Sequence, residues 1–135
     1  MGQQQLLFLF LAVLVVAVAV AVGVSMFNSA TIQSNRDGIL TDLEVILGDA
    51  NAYSLRSESN GGGDGSFEGY AVPSRLAGND NGTYAVLVEH GQRKKRRGKL
   101  TITGTSAKGF GSIQLVLDDT LDVKDISFTG QFQTP

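Results

Sequence analysis

From Leu6 to Phe27 the chain reads LLFLFLAVLVVAVAVAVGVSMF, with no charged residue and no proline. At 1.5 Å per residue a helix of this length covers roughly the 30 Å of a bilayer core. Its apolar residues run all round the helix, so it must be buried in lipid or among other helices. From Ile32 onward the pattern becomes one-sided. Ile32, Ile39, Leu43, Ile46, Ala50 and Tyr53 draw one stripe, with Leu40 and Leu47 beside it, and Arg36, Asp37, Asp42, Glu44 and Asp49 fall opposite. Gly38 and Gly48 each weaken this segment by up to ~1 kcal/mol without breaking it, and no proline intervenes before Pro73. The pattern predicts one helix over residues 6–56, on the order of 75 Å long, apolar in its first half and amphipathic in its second.

Residues 1–5 form a short polar leader, and residues 57–66, centred on Asn60-Gly61-Gly62-Gly63-Asp64-Gly65-Ser66, read as a flexible glycine-rich linker. Beyond it the period changes to alternation. Short strands are predicted at Phe67–Val72, Thr83–Glu89, Leu100–Thr103, Ser112–Leu117 and Ile126–Phe132. Asn79-Asp80-Asn81-Gly82, Gly109–Gly111 and the residues around Asp118–Asp122 supply the turns. Consecutive short strands joined by short turns imply an antiparallel meander over residues 67–135. One face of that sheet needs a cover, and the stripe from Ile32 to Tyr53 provides it. The expected class is α+β: a long N-terminal helix whose second half packs on a small C-terminal antiparallel sheet.

Composition narrows the picture. The 135 residues leave room for one small domain beyond the apolar stretch. Without cysteine there are neither disulfides nor thiolate metal sites, so an exported domain must rely on packing or assembly. The net charge of -2 hides an asymmetry: six of the eleven bases lie in Arg93, Lys94, Lys95, Arg96, Arg97 and Lys99, leaving the remainder acidic.

Catalytic chemistry finds little support. His90 ends a strand beside Gly91, and general-base work needs a positioned partner that the sequence does not indicate. No nucleophile–histidine–acid order, metal-ligand cluster or phosphate loop can be assembled, so an enzyme is not expected and no cofactor is implied. Asp118, Asp119, Asp122 and Asp125 do not match a calcium-loop spacing and read as a solvated turn. Asn81-Gly82-Thr83 fits an N-glycosylation sequon, but Asn-Gly is also an ordinary turn dipeptide, and the turn is favoured. Arg93–Arg97 lies between two strands and reads as a basic hairpin tip. It either keeps a sheet edge in water, meets a polyanion such as DNA or an anionic cell surface, or meets acidic patches on a neighbouring subunit.

The N-terminal segment is not patterned as a cleaved secretory signal, because its apolar run is too long and Asn28-Ser29-Ala30 is a poor cleavage match. Nor does Leu6 suit a myristoylation motif, which wants Ser or Thr there. Gly2 just before an uninterrupted apolar segment, a helix turning amphipathic in its second half, and a C-terminal β domain together resemble a type IV pilin or pilin-like subunit. In that family a prepilin peptidase cuts after a glycine on the cytoplasmic side, and the freed helix packs with its neighbours as a filament core. The resemblance implies a cut between Gly2 and Gln3, membrane insertion before assembly, a pilus assembly machinery, and a homo-oligomeric filament at the cell surface. Leu6, Leu7, Phe8, Phe10, Leu14, Val18 and Val22 would then line the core. Leu7 stands where the family carries a glutamate that pairs with a neighbour's N-terminal amine; Gln3, Gln4 and Gln5 offer that amine neutral hydrogen bonds instead. Ala12, Ala17, Ala19, Ala21 and Gly23 allow close helix approach. The alternatives are a single-pass anchor displaying the β domain, and a pseudopilin of a secretion or DNA-uptake machine.

Overall fold

The computed structural model of the chain describes residues 2–90, 98–120 and 122–133. Helix α1 spans Gly2–Leu55 without a break. It begins before the expected residue 6, so Gln3, Gln4 and Gln5 are helical, and it ends one residue before Arg56. The chain divides into two compact units, residues 1–33 and 34–135. The first is helix alone. The second contains the rest of α1 and the strands β1 (Gly82–Glu89), β2 (Lys99–Ser106), β3 (Ser112–Leu117) and β4 (Val123–Phe128).

These strands form one antiparallel meander in the order β1-β2-β3-β4. The register puts Ile102 opposite Leu115 and Leu100 opposite Leu117, so alternate residues of the central strands share one face. That face meets Ile39, Leu43, Ile46 and Ala50 of α1, and all these side chains are buried. The architecture is therefore α+β, a helix on a four-stranded antiparallel sheet. Ile32 and Tyr53, at the ends of the expected stripe, are only half-buried. Asn35 and Ser54 are buried helical positions that an apolar stripe does not reveal.

Helix and sheet approach each other closely at Gly104 of β2. A Cβ there would lie 2.8 Å from Cγ2 of Ile39 and 3.0 Å from Cε1 of Tyr84. On β4, Arg36 holds its guanidinium 4.3 Å from the centre of the Phe128 ring, a cation–π contact that covers this end of the strand. Val123 and Ile126, further along β4, stay 45 % and 43 % exposed.

Three expectations need correction. The segment Phe67–Val72 is not a strand: Tyr70 N–H closes a turn onto Phe67 C=O, and Gly69 has φ +80°. Its two aromatic rings, three residues apart, are both buried rather than alternating across a sheet. Residues 57–66 are not a loose linker. The N–H groups of Gly63, Asp64 and Gly65 donate to the carbonyls of Tyr53, Arg56 and Ser54, giving partners to acceptors that every helix C-terminus leaves open. The chain approaches too closely for side chains there, since a Cβ on Gly62 would lie 2.3 Å from Arg56. The last strand starts at Val123 and ends at Phe128; Gly130, with φ +66°, turns the chain into a 3-10 helix, Gly130–Gln133, that buries Phe132.

The glycines of this unit separate into needed and unneeded ones. Gly104→Ala drives a methyl group into Ile39 and Tyr84 and should lower stability by about 1–3 kcal/mol. Gly48 has nothing within 4 Å of the Cβ it lacks, so Gly48→Ala should raise stability by up to ~1 kcal/mol. Thermal unfolding of the full chain in detergent, followed by the near-ultraviolet tyrosine signal, checks both signs.

Candidate functional site

Among the described residues, Leu6–Phe27 are exposed throughout. Their large side chains run from 50 % exposed at Leu14 to 71 % at Phe27, and Leu6, Leu7, Phe8, Phe10, Val18 and Val22 fall within that range. Burying a single Leu, Val or Phe side chain contributes roughly 1.5–3 kcal/mol, so this surface carries a large drive to leave water. The helix is long and apolar enough to cross a membrane, and nothing in its first half is charged. Gly2 and Gln3, the expected processing positions, lie exposed at its start. Nothing stands within 4 Å of the Cβ that Gly23 lacks, leaving a small exposed notch on the apolar surface.

The amphipathic half holds the chain's main polar constellation. Asp42 Oδ2 accepts hydrogen bonds from Asn79 Nδ2 at 2.7 Å, Asn81 Nδ2 at 2.9 Å and Tyr84 Oη at 2.5 Å. One helical heptad later, Asp49 accepts from Tyr70 Oη at 2.9 Å and faces Arg75. One heptad earlier, buried Asn35 donates to the Asn81 carbonyl and accepts from Ser106 Oγ at 2.6 Å. Asp42 and Asp49 therefore do not belong to a solvated face, as the helical period suggested. They fasten the connection between α1 and β1 along one side of the helix. Asn79 also closes its own turn, taking N–H donors from Asn81 and Gly82, and Asn81 is occupied by Asp42 rather than free as a glycosylation acceptor would be.

Such a cluster of carboxylate and phenol resembles catalytic chemistry only superficially. Partial burial works to raise the Asp42 pKa, but the amide and phenol donors outweigh it and hold the carboxyl below its usual value. Burial, then the bond to Asp42, pushes the Tyr84 phenol above its ordinary range, and burial with Asp49 does the same to Tyr70. Asp42 is thus kept ionised and both phenols are kept protonated at neutral pH. That is the arrangement of a structural fastening, with no group poised to exchange a proton near pH 7.

The remaining candidates are dispersed. His90 Nδ1 stands 3.7 Å from Glu68 Oε1, with both side chains mostly in solvent. Asp118 pairs with Lys124, which holds the carboxyl below its ordinary value, and Thr120 Oγ1 reaches Asp122 at 3.4 Å. Among the described residues no group of three or more histidine or acidic side chains is arranged to hold a metal ion. An open cleft of about 440 Å³ lies between Tyr53, Glu58, the glycines 61–63, Asp64 and Glu68, and its lining is polar and acidic. The basic run Arg93, Lys94, Lys95, Arg96 and Arg97 lies outside the described residues. Compared with family models, curated proteins and solved structures, the chain matches none.

The polar fastening sets a pH dependence. With the Asp42 pKa below its unfolded value of ~3.9, its contribution is present above that pH and is lost as pH falls through the folded value. Tyr84 and Tyr70 are raised, so their contribution is intact below ~10 and is lost as pH climbs beyond it. Denaturant midpoints should therefore fall at both extremes, and Asp42→Asn should flatten the acid limb. Tyr84→Phe at pH 7, which removes one bond to the carboxylate, should cost about 1.5–3 kcal/mol.

Proposed function

We propose that this chain is a structural subunit of an extracellular type IV pilus-like filament, assembled through its apolar N-terminal helix. One observation carries the reading: a helix uncovered on every side through Leu6–Phe27 runs without interruption into the helix on which a folded β domain is built. A surface of this kind is stable in lipid and stable among copies of itself, and unstable in water. A subunit that begins in the inner membrane and ends in a fibre at the cell surface uses both environments in turn. Leu6, Leu7, Phe8, Phe10, Leu14, Val18 and Val22 supply the cohesion, while Ala12, Ala17, Ala19, Ala21 and Gly23 let helices approach closely. A peptidase acting between Gly2 and Gln3 would release the helix for assembly, and the three glutamines would meet the new amine with neutral acceptors. The fibre's use in adhesion, motility, secretion or DNA uptake is a separate matter.

The test is direct. Cells that make the chain should shed thin fibres on shearing, visible by electron microscopy and containing this chain, with an intact mass that starts at Gln3. Chain found only as detergent-soluble monomer in membranes of a host with assembly machinery would favour the single-pass anchor. A mature start near Thr31 would mean an ordinary signal peptide and would end the filament reading.

A further inference from the structure

The sequence contains two Asn-Gly pairs, Asn60-Gly61 and Asn81-Gly82, and the fold treats them oppositely. Such a pair has a chemistry of its own. Because glycine carries no side chain, its amide nitrogen can swing onto the preceding asparagine Cγ and close a five-membered succinimide ring. Closure depends on what holds the side-chain amide, the glycine nitrogen and the backbone between them.

Asn81 is held at all three places. Its Nδ2 donates to Asp42 Oδ2 at 2.9 Å, and Gly82 N–H donates to Asn79 Oδ1 at 3.2 Å. The Asn81 carbonyl accepts from Asn35 Nδ2 and from Ala107 N–H, each at 3.0 Å. Gly82 is buried as the first residue of β1, with the Thr105 carbonyl standing where a Cβ would go. Closing a ring there gives up the bond to the carboxylate together with the start of the β1–β2 ladder.

Asn60 is held at only one. It is the exposed last residue of a short 3-10 helix, Glu58–Asn60, and among the described residues no hydrogen bond engages its side-chain amide. Gly61 N–H donates to the Glu58 carbonyl at 3.0 Å, a single local bond of a kind that opens readily. Gly61 has φ +75° and nothing within 4 Å of the Cβ it lacks, so the peptide has space in which to turn.

We propose that Asn60-Gly61 is a site of spontaneous covalent modification, and that the polar fastening around Asp42 protects Asn81-Gly82 from the same reaction. Gly61 N bonds to Asn60 Cγ, the Cγ–Nδ2 bond breaks, and ammonia leaves with the proton that Gly61 N gives up. Water then opens the ring at either carbonyl, leaving aspartate or isoaspartate at position 60. Both products exchange a neutral amide for a carboxylate. Isoaspartate also routes the main chain through Cβ and lengthens it by one methylene. That insertion falls just before the N–H groups of Gly63, Asp64 and Gly65, which cap the carbonyls of Tyr53, Arg56 and Ser54. Gly62 and Gly63 pack too closely on Arg56 and Ser66 to absorb a longer backbone. Conversion therefore unfastens the cap of α1, whether or not the chain forms filaments.

The test uses the full chain purified in detergent and aged at mildly alkaline pH, where the glycine N–H proton is more easily lost. Peptide mapping by mass spectrometry follows the amide-to-acid mass shift, and an isoaspartyl methyltransferase labels the isoaspartate. The peptide containing Asn60 should convert roughly tenfold or more faster than the one containing Asn81, since the latter must first break its bonds. In denaturing urea the two rates should converge, because the same dipeptide is then equally free at both places. Equal rates in the folded chain, or a difference that persists in urea, overturn the proposal. Aged chains separated by their extra negative charge should unfold at a lower temperature and be cut by protease within residues 61–66. An unchanged midpoint and cutting pattern in isoaspartate-labelled chains overturns the loss of the cap.

Discussion

An uncharged helical surface more than twenty residues long cannot remain in water, and the rest of this molecule is arranged around that constraint. Among the described residues every buried side chain comes from Asn35 or later. The apolar half is long and hydrophobic enough to cross a membrane, an environment in which such a surface is stable.

The second half of the same helix shows how one element serves two requirements. One side supplies Ile39, Leu43, Ile46 and Ala50 to the core. The flank beside it carries Asn35, Asp42 and Asp49, a heptad apart; Asn35 and Asp42 both hold Asn81 of the connection that leads into the sheet, and Asp49 holds Tyr70. The carbonyls at the helix end are taken by the glycine-rich turn instead of water. A long helix with a single core-facing stripe would be free to rotate or slide on a small sheet. Polar bonds of fixed geometry at three levels remove that freedom, because each bond is satisfied at only one register.

Where two periodicities were strong, the sequence was easy to read. The change from all-round apolar to one-sided apolar to alternating located the helix and the strands β1 to β3, because side-chain period follows backbone geometry. Period fails where backbone and side chain serve local bonds. Asp42 and Asp49 have the spacing of solvated residues, and only the partners Asn79, Asn81, Tyr84 and Tyr70, distant in sequence, reveal them as fastenings. Phe67–Val72 mimics a strand by its aromatic and β-branched composition, although the three-residue spacing of Phe67 and Tyr70 would put the two rings on opposite faces of a sheet. The glycines after Asn60 look like coil by composition, yet Gly62 lies too close to Arg56, and Gly63 too close to Ser66, to carry a Cβ. A signal was available there: several glycines just past a helix end are also the pattern of a C-terminal cap.

Separation of duties along α1 also bears on how substitutions can be interpreted. Among the described residues no buried side chain precedes Asn35, so changes within Leu6–Phe27 spare the buried core of the β unit. Changes at Ile39, Gly104 or Asp42 do the reverse, loosening the sheet from its helix while leaving the apolar half as it was. Exposed apolar side chains of the folded unit, Val45 and Leu55 on the helix and Leu87, Val123 and Ile126 on the sheet, belong to neither group, so substitutions there alter the surface without disturbing the packed core.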